Sequence, residues 1–290
     1  MQFSVAVGAL PCYPVSTTLE FARAAGADGA ELLVTPSILR RGPEHYAALA
    51  LARQLPILSV HALLRYTGAA LAQQIAEDCA SIAFATQIPT CDAVVVHAPL
   101  TGARPSSDLN RWLNAICTAR DDSANPDLRI GIENRAENYD GSGHHLLDNL
   151  ERLRHLAGEW NLDLTYDIAH AASRGVDVAG AVKLVAPRLA NVHLSDAGEH
   201  SHHGGIRNGL FRDHRLPGTG SLPLAEVMAA LRRAGYDGLV TLEPSPASLC
   251  AWWPFAARRL LRDAVADMRA LASGVPAPSR IQVEPRFPAH

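Results

Sequence analysis

Leu164-Thr165-Tyr166-Asp167-Ile168-Ala169-His170-Ala171 is a short β-prone run that delivers an acid and an imidazole where its hydrophobic pattern stops. Asp167 and His170 are therefore candidates for chemistry. Other short apolar runs end in the same manner. Ile57 to Val60 leads into His61, Ala93 to Val96 into His97, Arg129 to Ile132 into Glu133, Leu189 to Val192 into His193, and Leu239 to Leu242 into Glu243. A chain that repeatedly sets Glu, Asp or His at the end of a buried strand is building one site from many strands. The parallel barrel does this by geometry, because all its strands open onto one carboxyl rim.

The segments between these runs read as helices. Phe3 to Val7 is the first strand, and Thr17 to Ala25 a first helix stopped by Gly26; Gly29 to Leu33 follows as strand two, carrying Glu31. Pro43 to Gln54, Ala69 to Thr86, Ser106 or Ser107 to about Asp121, Gly143 to Trp160, Val176 to Val185, Leu222 to Ala234 and Pro254 to Leu271 continue the alternation. Asp92 to Val96 is apolar throughout after its first residue, as a parallel strand covered on both faces must be. Eight such units predict a single (β/α)8 TIM barrel over residues 1–272, followed by a Pro-rich tail, 273–290, with no core pattern. A doubly wound sheet would gather its site at one crevice behind a Gly-rich loop after strand one. Val7-Gly8-Ala9-Leu10-Pro11 is no such loop.

Bulk properties exclude several functions. The chain has 290 residues and a formal charge of -3, so no global basic surface predicts nucleic-acid binding. Lys183 is the single lysine and sits in mid-helix, which argues against Schiff-base chemistry and a lysine-centred phosphate loop. The 5 cysteines are scattered without paired spacing, so neither a disulfide framework nor a thiolate zinc site is signalled. The N-terminal segment shows neither a basic leader nor a membrane-spanning run, and the expectation is a cytoplasmic enzyme with no membrane partner.

Glu133, Asp167, His193 and Glu243 offer three carboxylates and one imidazole from four strand ends. That set suits one divalent ion, Mn, Mg, Co or Zn. His61 and His97 read as further ligands, as substrate contacts or as ring stacks on the barrel mouth. His170 and Asp196, each three residues beyond a strand-end residue, read as groups that orient a neighbour or meet substrate. Glu31 either reaches the pocket or pairs with an arginine. Glu137 and Arg135 either contact a polyol or anion or remain solvated. The irregular stretch Ser195 to Gly220 holds His200, His202 and His203, read as exposed, and His214, which precedes the Gly218-Thr219-Gly220 turn back to the barrel top. Trp252 and Trp253 either wall the pocket or pack on the last helix.

The strand ends Val-His-Ala at His61, Val-Val-His-Ala-Pro at His97, Ile-Glu-Asn at Glu133, Tyr-Asp-Ile-Ala-His-Ala, Val-His-Leu-Ser-Asp, His-Arg-Leu-Pro-Gly-Thr-Gly and Leu-Glu-Pro resemble the xylose isomerase-like barrel superfamily, over about Phe3 to Leu271. In its sugar isomerase and epimerase branch, the resemblance implies that Glu133, Asp167, His193 and Glu243 hold one divalent metal. It also implies that Glu133 and Glu243 serve as acid and base, moving a proton through an enediolate of a ketose or hydroxy-carbonyl substrate. His61, His97, His170, Asp196, His214 and Glu137 are then expected around the substrate, a small sugar or polyol. Pro217 falls one place later than in that branch's His-x-Pro-x-Gly-x-Gly pattern.

A second branch, the abasic-site endonucleases, would use His61, His97, Glu133, Asp167, His170, His193 and Glu243 as ligands to three zinc ions. That branch needs Asp-x-His after strand seven, whereas Asp213 and His214 are adjacent here. A dehydratase starting with the same proton abstraction, and a ligand-binding barrel without turnover, complete the alternatives. A homo-oligomer is compatible with all of them.

Overall fold

The computed structural model describes residues 1–63, 70–99, 107–123, 125–136, 149–198 and 214–275. Eight parallel strands close into a barrel in sequence order: β1 Gln2–Ala6, β2 Gly29–Leu33, β3 Ile57–His61, β4 Ala93–Val96, β5 Arg129–Glu133, β6 Asp163–Asp167, β7 Leu189–Leu194 and β8 Leu239–Leu242. β8 returns to β1 with Gln2 opposite Leu239 and Val5 opposite Leu242. The expected single barrel is what forms.

Alternation along each strand sorts its side chains. Val5, Leu32, Val60, Val96, Ile132, Tyr166, Val192 and Val240 belong to the apolar core beneath the helices. The residues between them face the barrel interior. Helices α1 Val15–Ala24, α3 Pro43–Arg53, α4 Leu71–Ala85, α5 Ser107–Asp121, α6 Leu150–Glu159, α9 Leu224–Arg233 and α10 Pro254–Ala272 cover the outside. The breaks read from glycine hold: Gly26 and Gly235 have φ of 85° and 73°. At each, paired bonds tie off the helix end, Gly26 N to Arg23 O with Ala27 N to Ala22 O, and Gly235 N to Arg232 O with Tyr236 N to Leu231 O. Gln54 and Asn161 adopt the same left-handed conformation without glycine.

Three short elements depart from the expected pattern. α2, Pro36–Arg41, is an added helix started by Thr35, whose Oγ1 accepts from Ile38 N at 3.2 Å. α7, Ile168–Ser173, begins directly at the end of β6 because Asp167 Oδ1 accepts the His170 N–H at 2.6 Å. The helix expected over Val176 to Val185 shrinks to α8, Val182–Val185, since Asp177 Oδ1 takes the Gly180 N–H and holds the preceding residues in turns. At the far end, α10 runs to Ala272 and Ser273 to Val275 complete its cap, with Val275 N bonded to Ala270 O at 2.9 Å. The rest of the expected tail, from residue 276 on, lies outside the described residues. Trp252 and Trp253, just before α10, are 44% and 48% exposed.

Candidate metal centre

The strand ends converge as the sequence pattern requires. Glu133, the last residue of β5 and buried, is the hub. Its Oε2 is met by His61 Nε2 at 3.3 Å and, more closely, by His97 Nε2. Its Oε1 is met by His193 Nδ1 at 3.1 Å and His170 Nδ1 at 3.4 Å. Four histidines from four different βα units thus surround one carboxylate. Glu243 brings Oε2 to 2.8 Å from His193 Nδ1, and Asp167 Oδ2 lies 3.9 Å from the same nitrogen. His214 Nδ1 stands 3.9 Å from Asp167 Oδ2 and bonds with Ser195 Oγ at 3.2 Å. His214 holds a left-handed backbone, φ 52°, a conformation that a non-glycine residue adopts only when its surroundings enforce it.

Three groups of donors result, each with its atoms within 4.8 Å of one another: Glu133, Asp167, His193 and Glu243; His61, His97 and Glu133; and Asp167, His170 and His214. In the central group, Asp167 Oδ2 and Glu243 Oε2 are buried and accept no hydrogen bond among the described residues. A buried carboxylate oxygen without a donor is costly. A divalent cation is the partner that three carboxylates and one imidazole are suited to take. These residues fit such an ion.

Charge in the cluster is strongly interlocked. Burial works against the anionic form of Glu133 and Glu243, but the rings of His97 and His193 hold Glu133 well below the usual carboxylate range, and His193 and His214 do the same for Glu243. Burial pushes Asp167 up. Burial also opposes charge on the imidazoles. The carboxylates outweigh it at His61, raised to about 9 by Glu133, and at His170, raised to about 10 by Asp167 and Glu133. His97 is the exception, lowered by burial.

One sequence expectation is corrected in position. Asp196 does not face the cluster: Oδ1 accepts from Ala197 N and Leu222 N, and Oδ2 from Gly218 N and Gly220 N, at 2.9 to 3.0 Å. It organises the returning loop. A Cβ on Gly220 would lie 2.3 Å from both Ala197 O and Asp196 Oδ1, so the second glycine of the turn is required by this close approach. Of the two alternatives for Glu31, pairing with an arginine is not seen among the described residues. Glu31 lies inside the barrel, bonded to Ser59, Asn191 and His193. Glu137, Asp213, His200, His202 and His203 lie outside the described residues.

Asn134 was missed. Its side chain behaves like a piece of strand, with Nδ2 donating to Asp167 O at 2.9 Å and Oδ1 accepting from Asp167 N at 2.8 Å. His170 Nδ1 donates to its carbonyl oxygen at 3.0 Å. The signal was its place directly after Glu133, where an amide can prolong the β5–β6 ladder one residue beyond the strand.

The model of the xylose isomerase-like TIM barrel family matches residues 19–271. The chain belongs to this family. An uncharacterized protein of Mycobacterium tuberculosis is 29% identical over 266 residues, covering 81% of this chain and 86% of that one. Among solved members of the xylose isomerase-like fold, a D-psicose 3-epimerase crystallised in the presence of D-fructose superposes with a TM-score of 0.70 at 16% identity, over 94% of this chain and 99% of that one. A 3-keto-D-glucoside 4-epimerase from E. coli gives a TM-score of 0.67 at 17% identity, over 93% and 99%. At these identities the fold is what is shared, and these neighbours are sugar epimerases.

Proposed function

We propose that this protein is a divalent-metal-dependent isomerase or epimerase of a small ketose or other hydroxy-carbonyl sugar. The observation that carries this reading is the convergence on Glu133 and His193 Nδ1 of two buried oxygens, Asp167 Oδ2 and Glu243 Oε2, that accept no hydrogen bond among the described residues. A divalent ion held there by Glu133, Asp167, His193 and Glu243 would supply Lewis-acid polarisation of a carbonyl and its neighbouring hydroxyl. The remaining chemistry falls to side chains. Glu133 and Glu243 are held anionic at neutral pH, so either can take a proton from carbon, and the other, once loaded, can return one. His97, His170 and His214, partly exposed beside the same carboxylates, bring imidazoles suited to sugar hydroxyls. Likeness in fold to sugar epimerases agrees with a small-molecule substrate.

A second reading is favoured by a specific observation: the groups His61–His97–Glu133 and Asp167–His170–His214 each gather three donors and share a carboxylate with the central group. Such an arrangement is what a multinuclear phosphodiesterase of the abasic-site endonuclease kind would need. One experiment separates the two. The purified protein is analysed for metal and then incubated with a panel of ketoses in D2O. About one divalent ion per chain, with deuterium entering a substrate carbon, supports the isomerase. Close to three ions per chain, with no carbon exchange and cleavage of abasic DNA, would replace it with the nuclease. A metal-dependent loss of water from a hydroxy-ketone would make the protein a dehydratase.

A further inference from the structure

One pleat below the candidate centre the barrel interior is polar, where such barrels ordinarily stack branched apolar side chains. Glu31 is the focus of that floor. It is 1% exposed, with no arginine or lysine among the described residues bonded to its carboxylate. Ser59 Oγ donates to Oε2 at 2.8 Å and Asn191 Nδ2 donates to the same oxygen at 2.9 Å. Asn191 is fixed in turn, because its Oδ1 accepts from Thr241 Oγ1 at 3.0 Å and Thr241 meets Ser4 Oγ at 2.7 Å. Five strands thus contribute to seating one carboxylate. Its remaining contact is upward: His193 Nε2 lies 3.2 Å from Oε1 and 3.3 Å from Oε2.

Glu31 serves Ser59 and Asn191 as an acceptor, and in the same role toward His193 it leaves the proton on the ring nitrogen that faces it. The other nitrogen of the same ring, Nδ1, is the one that meets Glu133, Asp167 and Glu243. We propose that Glu31 is a positioning residue for the metal site: by accepting the Nε2–H of His193 it fixes the tautomer and the plane of that ring, and so leaves Nδ1 as the donor presented to a divalent cation. The proposal rests on the metal-dependent reading above and adds to it a residue that touches neither cation nor substrate. The polar floor is then explained. Ser59 and Asn191 hold the Glu31 carboxylate in place, and the apolar filling of the barrel gives way to them.

The test uses the full chain, with Zn(II) as the probe, in wild type, Glu31→Ala and Glu31→Gln, each checked for folding by circular dichroism. Zinc affinity is measured by competition with a chromophoric chelator. The His193 Nε2–H resonance is followed in the zinc-loaded protein by proton NMR in water. Glu31→Ala is expected to weaken zinc binding 10- to 100-fold, as loss of a carboxylate behind a ligating histidine does, and to lose the slowly exchanging Nε2–H signal. Glu31→Gln, whose amide oxygen can still accept, is expected to recover the signal and part of the affinity. If the Glu31 variants do not fold, Ser59→Ala, which removes one donor to the carboxylate and little volume, is expected to weaken zinc several-fold. Wild-type affinity and an unchanged Nε2–H signal in Glu31→Ala, or in Ser59→Ala where that is the variant read, would overturn the role of Glu31 and leave the metal reading standing. Failure of the wild type itself to bind zinc would overturn that reading, and the proposal with it.

Discussion

Glu243 Oε2 sits 2.8 Å from a ring nitrogen of His193 and accepts no hydrogen bond among the described residues. A carboxylate in this position has a use for its charge, and the expected consequence of removing it is specific. Glu243→Gln should keep the fold, with a melting temperature within a few degrees of wild type. Turnover of a true substrate should fall by about 10²–10⁴-fold, the range of a lost general acid or base. Turnover at the wild-type rate would remove Glu243 from the chemistry. The residues of this site were legible in the sequence wherever charge stood at the end of an apolar run, as at Glu133, Asp167, His193 and Glu243. Asn134 was not, since an amide after a strand carries no charge to mark it and its work is done on the backbone of Asp167, 33 positions away. Asp196 misled for the opposite reason. Its charge is spent on four backbone amides supplied largely by glycine-rich chain more than twenty residues on.

Among elements, the strands and long helices follow from pattern alone, while α2 and α7 do not. Each of those is 6 residues, too short for a period to show, and each depends on one side-chain cap, Thr35 or Asp167. The polar floor was present in the sequence as Ser59, Gly131, Thr165, Asn191 and Thr241, each two positions before a strand-end residue. Its members read as neutral strand residues until the alternation is followed inward. The packing of α4 on α5 holds a further buried acid. Asp78 accepts from Trp112 Nε1 at 2.7 Å, and burial, only partly offset by that bond, pushes its carboxyl up to about 7. Between the ordinary carboxylate value and about 7 the folded chain holds a proton that the unfolded chain has lost. The associated stability is complete in acid and lost as pH rises through 7. Asp78→Asn, which mimics the protonated acid, should therefore raise the melting temperature at pH 8, by up to ~4 kcal/mol of stability. The gain should vanish near pH 4, and thermal melts across that interval would show it. A pH-independent difference would mean that Asp78 is already neutral or already paired throughout.

For the molecule as a whole, the closed barrel and its capped last helix suffice to place the site. Val275 N and Gly274 N bond back to Ala270 O and Leu271 O, and Arg232 Nη1 donates to Leu271 O and Ala272 O, so α10 is finished and fastened before residue 276. Removal of 276–290 should leave the melting temperature and zinc affinity unchanged, and a drop of several degrees in differential scanning calorimetry would show that those residues dock. The seam of the barrel has a different consequence. Ser4 and Thr241 share a hydrogen bond although they are 237 positions apart, and β1 pairs on one side with β8. During synthesis β1 emerges first and its second neighbour emerges almost last. For most of translation the nascent chain therefore carries an open strand edge that only the final quarter of the sequence can close, and newly made copies stalled before β8 are the species on which ribosome-associated chaperones should be found.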